Sequence, residues 1–269
     1  MSNITIGQYF PGNSLLHKMD ARMKIVVIIL LMVSAFICKN YISLAIALAA
    51  TLILVAVSKI KLRVILKGIK PILAIVLITT LINLFYGSGE PIFKLWILKI
   101  TVNGINNALF MSLRIIFLVI QGLMLTYTTT PTALTEAVES LIKPLKIFKI
   151  DTHSVSMTMT IALRFIPTLV EEVDKITAAQ KSRGAQMDSG GIVNRVKAIV
   201  PIIVPLFISS FRRAEELADA MECRCYRGGA GRTKMNMVKM GAKDYISFAV
   251  TLMYLAAVIA IRVLTENVI

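Results

Sequence analysis

The sequence has few of the residues that build catalytic or metal sites. It contains only two histidines, His17 and His153, which lie far apart in the chain. No Gly-Lys-Ser or Gly-Lys-Thr phosphate-binding loop occurs, and this motif is what most nucleotide hydrolases use to hold phosphate. We therefore expect a chain that is not an enzyme, with no catalytic residue and no cofactor or metal of its own.

Cysteine is scarce as well. The three cysteines, Cys38, Cys223 and Cys225, are an odd number, which does not suggest a disulfide framework. Two thiols as close as Cys223 and Cys225 could ligate a metal, but no histidine or further cysteine lies near them in sequence to complete a tetrahedral site. We interpret all three as thiols.

Acidic residues are few in relation to basic ones. The chain has 15 Asp and Glu against 30 Lys and Arg, a formal net charge of +15. No basic patch is interleaved with the aromatic residues on which nucleic-acid bases would stack, so nucleic acid is not an expected partner. In a membrane protein such an excess is typical of cytoplasmic loops, where Lys and Arg determine the orientation of the spans.

Long hydrophobic runs, by contrast, are abundant. Hydrophobic residues make up 57% of the chain, and the mean hydropathy is +0.76. A helix needs roughly 20 mostly apolar residues to cross a hydrocarbon core of about 30 Å. We predict an all-α polytopic membrane protein with about five transmembrane helices, at residues 23–37, 41–57, 71–86, about 105–126 and about 245–264.

The basic residues predict an orientation for these spans. Lys18, Arg22 and Lys24 precede the first span, and a second basic cluster lies between residues 59 and 70, so both segments should be cytoplasmic. The N-terminus is polar, and we expect it to lie inside with no removable signal peptide. The loop before the fourth span carries few charges and contains Trp96, which suits an outer loop. Five spans then leave the C-terminus outside.

The region between the fourth and fifth spans has a different character. A short helix should begin at Pro131 and stop by Pro144, because proline is favoured in a first turn and ends a helix further on. Two long amphipathic helices should follow. Apolar residues recur at helical spacing in the first at Met157, Ile161, Phe165, Leu169, Val173 and Ile176, and in the second at Val193, Val196, Val200, Ile203, Phe207, Phe211, Ala214, Ala218 and Met221. Charges fill the opposite faces, so we expect each apolar face to lie against membrane or a partner.

Each long helix ends on an arginine between two small residues. The first ends in Ser182, Arg183 and Gly184, and the second in Cys223, Arg224 and Cys225, with Gly228 and Gly229 expected to terminate it. A single arginine at a helix C-terminus can be explained by the helix dipole, which stabilises it by about 0.3–1 kcal/mol. Two such endings favour a second interpretation, in which an exposed guanidinium enters a groove of a partner and bonds it bidentately.

At these residues the sequence resembles the transmembrane component of energy-coupling factor (ECF) transporters, the EcfT family. The likeness extends over nearly the whole chain and includes "YFPGNSLLHKMDARMK", "TTTPTALTEAVESLIKPLK", "ALRFIPTLVEEV" and "FRRAEELADAMECRCYRGG". The resemblance implies coupling helices that each end in an x-Arg-x motif, with Arg183 and Arg224 as the motif arginines. The usual form is Ala-Arg-Gly, whereas this chain has Ser182, Cys223 and Cys225. The missing glycine at position 225 leaves the shape of the second turn open.

The resemblance also implies partners and an organisation. It implies two cytoplasmic ABC ATPase subunits that bind ATP and Mg²⁺, and a membrane-embedded substrate-binding subunit, or S-component, that brings a micronutrient. The outer loop looks more like that of members serving vitamin-binding subunits than of cobalt-dedicated ones. We expect a multi-pass protein of a prokaryotic cell membrane, with four spans in residues 1–130, a cytoplasmic coupling domain in residues 131–240 and a last span in residues 241–269.

Two other functions remain open at this stage. An ordinary ABC importer permease would dock its ATPase through a single short helix and line a solute path with its spans. A secondary transporter or channel would need polar or broken helices in paired positions near the midplane, and we find none. Arg114, inside the fourth predicted span, is either part of a functional site or an arginine that bonds backbone carbonyls or reaches out to water.

Overall fold

The computed structural model describes residues 9–85, 91–95, 98–144, 152–185, 191–228 and 240–266, and nearly all of them are helical. The predicted all-α fold is therefore confirmed. The helices are α1 (Leu15–Lys18), α2 (Ala21–Ile37), α3 (Tyr41–Ser58), α4 (Leu62–Ile69), α5 (Leu73–Phe85), α6 (Val102–Thr128), α7 (Pro131–Ile142), α8 (Thr152–Ser182), α9 (Ile192–Cys223) and α10 (Ala242–Glu266).

The chain divides into two compact units. The first comprises residues 1–137 and 236–269, and the second comprises residues 138–235. The C-terminal helix therefore packs with the N-terminal helices, although more than a hundred residues separate them in sequence.

Helix α6 is the centre of the first unit. It packs on α2, α3, α4 and α5, while α10 packs on α2 and α3. Two apolar clusters fill the contacts. One surrounds Met124 and Tyr127 near the end of α6, and the other surrounds Phe117 and Val258. Most other apolar side chains on these helices point outward, which is the arrangement expected where lipid takes the place of water.

Four helical segments of the described chain are long and apolar enough to cross a membrane. They are Tyr41–Ser58, Leu62–Phe85, Val102–Thr128 and Ala242–Thr265. The second joins α4 and α5 through one 3₁₀ turn at Lys70–Ile72, so the helix begins before the predicted start at Pro71. Helix α2, the first predicted span, has 17 residues. At about 25 Å it is at the short end of the range for a spanning helix.

The predicted outer loop contains a small β-hairpin. Strand β1 (Pro91–Leu95) pairs antiparallel with β2 (Leu98–Thr101), with an irregularity between Pro91 and Phe93. Trp96, which we expected in this loop, lies outside the described residues.

Buried polar groups connect the ends of α2, α6 and α10. Lys24 is 1% exposed, and its ammonium donates to the carbonyl of Thr128 and to the hydroxyl of Thr129, each at 3.0 Å. Asp244, at the start of α10, accepts from the backbone N–H of Asp20 at 3.0 Å. These bonds connect three helix ends that are distant in sequence. Lys24, which the sequence analysis counted among the charges that orient the spans, therefore also stabilises the packing of the helices.

Candidate functional site

Helices α8 and α9 form an antiparallel pair within the second unit. Near their middle, Nη2 of Arg213 lies 3.0 Å from Oε2 of Glu172, and the hydroxyl of Ser209 donates to the same carboxylate. Nearer the end of α8, the side-chain amide of Gln180 donates to the carbonyl of Pro201 at 3.3 Å. Partners later in α8 thus meet partners earlier in α9, which defines the antiparallel arrangement.

The bond from Gln180 has a physical reason. In an α-helix the carbonyl of Pro201 would accept from the backbone N–H four residues later, but residue 205 is also a proline and has none. The amide of Gln180 supplies the missing donor from the neighbouring helix. Pro167 occupies the interior of α8 in the same way.

An apolar groove runs between the two helices. It has a volume of about 300 Å³ and is lined on the α8 side by Ile161, Phe165 and Leu169. These three residues belong to the apolar stripe predicted for α8. Helix α9 contributes mainly Leu217, Ala218 and Met221 toward its C-terminal end.

The apolar stripe predicted for α9 is divided between two surfaces: Ala214, Ala218 and Met221 line the groove, whereas the residues before them in the stripe lie on an exposed face. Val200, Ile203, Phe207 and Phe211 are each more than half exposed, and the rings of the two phenylalanines lie 4.6 Å apart. With Ile199, Val204 and Ile208 they form a continuous exposed surface, which we call the α9 apolar face. An apolar surface of this kind marks contact with membrane or protein.

Helix α8 ends in a Schellman motif built around the first predicted triplet. The N–H of Gly184 donates to the carbonyl of Lys181 at 3.0 Å, and that of Ala185 donates to the carbonyl of Gln180 at 3.0 Å. Gly184 adopts the left-handed conformation that this motif requires, with φ of 86°. Arg183 is the C-cap residue, directly before the reversal of the chain.

Helix α9 ends in the same motif although it has no glycine at the equivalent position. The N–H of Cys225 donates to the carbonyl of Glu222 at 2.8 Å, and that of Tyr226 donates to the carbonyl of Met221 at 3.0 Å. Cys225 takes the left-handed conformation with φ of 55°. The expectation that Gly228 and Gly229 end this helix is therefore wrong for Gly228, while Gly229 lies outside the described residues. Arg224 is again the C-cap residue.

The two arginines are thus presented in the same way. Both are exposed, and neither guanidinium is bonded to another residue in the part of the chain that the structure describes. Ser182, Cys223 and Cys225 beside them are exposed as well, so small side chains leave each guanidinium accessible.

The arginines lie at opposite ends of the helix pair. Met221, near the end of α9, lines the same groove as Ile161, near the start of α8. Arg183 is therefore separated from the position beside Arg224 by about 24 residues of α8, which is about 36 Å at 1.5 Å per residue. No single small groove in a partner could receive both.

Arg114 has a different environment from the two exposed arginines. Its Nε donates to the carbonyl of Ala35 at 3.1 Å and its Nη2 to the carbonyl of Cys38 at 2.8 Å, and its guanidinium lies 5.9 Å from the centre of the Phe36 ring. These carbonyls belong to the last turn of α2 and its C-cap, where helix carbonyls lack partners within the helix. Of the interpretations left open by the sequence, the structure shows an arginine bonded to backbone carbonyls.

Cys38 is buried and its thiol is free, as are the exposed thiols of Cys223 and Cys225. Among the described residues no group of three or more Cys, His, Asp or Glu side chains is placed to hold a metal ion.

These features define a class of protein, an α-helical membrane protein with a separate helix pair that presents two matched arginines. Comparison with known proteins identifies one family. Residues 12–235 match the family model CbiQ, described as cobalt transport protein. The chain is 49% identical over 257 residues to an energy-coupling factor transporter transmembrane protein EcfT of Ruminiclostridium cellulolyticum, covering 96% of each. It is 48% identical to one of Clostridium kluyveri, covering 92% of each, and 43% identical to one of Bacillus subtilis, covering 96% and 98%.

The chain therefore belongs to the EcfT family of transmembrane components of energy-coupling factor transporters. It is a membrane subunit of a multi-subunit transporter and is not itself an enzyme.

Proposed function

We propose that this chain couples ATP hydrolysis in two cytoplasmic ATPase subunits to uptake of a micronutrient by a separate membrane-embedded substrate-binding subunit. Arg183 and Arg224 are the residues that dock the ATPases, each with its small neighbours. ATP and Mg²⁺ belong to those partners, and this chain supplies the mechanical connection between them and the membrane.

One observation carries the proposal. Two helices of unlike sequence end in the same hydrogen-bonded turn, and each places an exposed arginine at its C-cap. The helix dipole explains a basic residue near a C-terminus, but it does not require the same left-handed residue directly after each arginine. In particular it does not explain why Cys225 adopts a conformation that a residue with a Cβ rarely takes.

The separation of the arginines supports two ATPases instead of one. At about 36 Å apart along the helix pair, the two guanidiniums would reach one groove on each of two subunits. A buried arginine bonded to carboxylate or carbonyl oxygens is an anchor of the kind that dominates interface affinity.

The α9 apolar face supports a second contact. Its exposed side chains, including Phe207 and Phe211, cannot all remain in water at low free energy. We assign this face to the substrate-binding subunit and the surrounding lipid. Because recognition of the solute then lies in another chain, the described spans need no polar pathway of their own.

We propose that the solute is a vitamin and that the protein lies in a prokaryotic cell membrane with its N-terminus in the cytoplasm. With α2 crossing alongside the four longer spans, the two arginines face the ATPases inside and the C-terminus lies outside. The basic residues before α2 and in its first turn, and those between α3 and α5, support this orientation.

The assignment of the arginines is tested by capture of ATPase subunits from membranes that contain Arg183→Ala, Arg224→Ala or the double variant. Truncating a buried, hydrogen-bonded arginine commonly costs about 2–5 kcal/mol of binding, so each single change should weaken capture at least tenfold. The double variant should lose more than either, because the first contact raises the effective concentration for the second. Arg212→Ala, an exposed arginine within α9, is the matched control. Full capture by the double variant would show that both are ordinary helix-end charges.

Solute uptake separates this function from that of an ordinary ABC importer permease. Cells that express the chain with its ATPases should accumulate labelled vitamins, and not cobalt(II), only when a substrate-binding subunit is also present. Uptake without that subunit would assign the solute pathway to this chain instead.

The orientation is tested by single-cysteine variants with a membrane-impermeant maleimide on intact cells. L15C should be labelled only after permeabilisation, whereas V102C should be labelled directly, and both positions are exposed. The reverse pattern would refute the proposed topology and would also place both arginines outside, where no cytoplasmic ATPase could bind them.

A further inference from the structure

One cavity of the first unit lies at the ends of four helices, remote from both arginine motifs in sequence. It has a volume of about 730 Å³ and is lined by the link between α2 and α3, by the first three turns of α6 and by Thr265 near the end of α10. This volume is within the range of about 300–1,000 Å³ that is typical of small-molecule sites.

One wall of the cavity is a row of amides. Asn103, Asn106 and Asn107 are spaced so that they share one face of the first turns of α6. The hydroxyl of Tyr41 donates to Oδ1 of Asn106 at 2.6 Å, which holds this amide in place with its NH₂ group as the remaining polar function. The amides of Asn106 and Asn107 therefore offer hydrogen-bond donors to the cavity, and that of Asn106 is held in place.

The charged side chains among the described lining residues are both basic. They are Lys39 and Arg114, and none of the described residues that line the cavity is acidic. Two nitrogens of Arg114 bond the carbonyls at the end of α2, while the only described partner of the third, Nη1, is the thioether of Met111 at 3.8 Å. A thioether is a weak acceptor, so this nitrogen retains most of its capacity to donate.

The remaining wall is apolar and faces outward. Ile42, Phe110 and Met111 line the cavity, and Ile42 is 62% exposed. From Asn103 to Arg114 the cavity extends about 16 Å along α6, from the end of the helix into the apolar part of a predicted span. A ligand that fits both the polar, basic wall and the apolar wall has a negatively charged head and an apolar continuation.

We propose that this cavity binds the anionic phosphodiester headgroup of a phospholipid. The phosphate accepts from Arg114 and from the amides of Asn106 and Asn107, Lys39 adds a second positive charge to the lining, and the first acyl carbons lie along Ile42 and Phe110. In the proposed topology this lipid belongs to the outer leaflet. It would fill the space between the ends of α2, α3, α6 and α10.

The test is native mass spectrometry of the purified full-length chain titrated with phosphatidylglycerol or phosphatidylcholine. The wild-type chain should retain one phosphatidylglycerol at least tenfold more tightly than phosphatidylcholine. Asn107→Asp keeps the size of an exposed side chain and adds a negative charge, so retention of phosphatidylglycerol should fall about tenfold while that of phosphatidylcholine is unchanged. Lys39→Glu is a second, independent variant, and Asn13→Asp, an exposed asparagine outside the cavity, is the matched control.

A soluble phosphate compound is the alternative ligand for this cavity. Inorganic phosphate or glycerol 3-phosphate at millimolar concentration should not displace the bound phosphatidylglycerol, because neither has the apolar continuation. Displacement by either would assign the cavity to a soluble phosphate and overturn the lipid proposal. Equal retention of the two lipids, or retention by both charge variants equal to that of the wild-type chain, would overturn it as well.

Discussion

The left-handed residue after each motif arginine allows a reciprocal test of how the helix ends are built. Gly184 and Cys225 hold equivalent positions, with φ of 86° and 55°. A Cβ in this conformation costs roughly 1–2 kcal/mol, whereas glycine loses about 0.5–1 kcal/mol more backbone entropy on ordering. Gly184→Ala should therefore destabilise its turn by a net 0.5–1 kcal/mol, roughly, and Cys225→Gly should stabilise its turn by a similar amount.

At Gly184 the expected change in free energy has no steric contribution. A Cβ added to Gly184 would meet no atom within 4 Å, so the change in free energy comes from the backbone alone. Two amides report on it directly, because the N–H groups of Ala185 and Tyr226 close the two motifs at 3.0 Å. A net change of 0.5–1 kcal/mol corresponds to an exchange rate about 2–5 times faster at Ala185 in Gly184→Ala, and slower by a similar factor at Tyr226 in Cys225→Gly.

The assay is amide hydrogen exchange of the purified chain, with ATPase capture as the functional readout. Gly191→Ala is the matched control, because Gly191 is exposed and its φ of −69° suits any residue. In Gly191→Ala, the exchange rate of the Ala185 amide should equal that in the wild-type chain. If Gly184→Ala also leaves the Ala185 amide unchanged, the turn does not depend on the left-handed residue and our account of both motifs is refuted.

Three further predictions concern stability, measured by thermal unfolding in detergent. Arg114→Met should lower the free energy of unfolding by about 3 kcal/mol, since it leaves two helix-end carbonyls without their charged donor; a melting temperature equal to that of the control Arg212→Met would contradict this. Lys24→Met should lower it by about 3 kcal/mol, because buried oxygens lose their donor, and an unchanged transition would refute that role. Glu172→Gln should cost only about 1 kcal/mol, since its arginine partner is 39% exposed, and a loss as large as at Lys24 would show a stronger ion pair.

The helices could be predicted from the sequence because the bilayer leaves the backbone little choice. Apolar runs of this length must satisfy their N–H and C=O groups internally, so each becomes a helix. The two long amphipathic helices followed from their spacing, and the arginine triplets from their position at the helix ends.

The contacts between helices could not be predicted in the same way. In α9 the periodicity identifies an apolar stripe whose last residues line the groove with α8, but around Phe207 and Phe211 α8 packs on a different face, through Ser209 and Arg213. A stripe shows which side avoids water and not which partner covers it. The burial of Lys24 likewise cannot be predicted from the sequence, because its acceptors Thr128 and Thr129 lie more than a hundred residues away.

The sequence does not determine the turn at Cys225, for a related reason. Sequence preference at a left-handed position is strong for glycine, but the hydrogen bonds from Cys225 and Tyr226 offset the preference locally. A cysteine at position 225 therefore does not by itself predict the Schellman motif that ends α9.

The prolines inside α8 and α9 have a mechanical consequence. Each of Pro167, Pro201 and Pro205 already lacks its backbone hydrogen bond, so flexing the helix at these points strains fewer backbone hydrogen bonds than flexing it elsewhere. The ends that carry Arg183 and Arg224 are closed by complete sets of bonds and are stiff by comparison. A force applied at either arginine is therefore transmitted unchanged through the terminal turns and is taken up as curvature in the interior of the helices, next to the α9 apolar face.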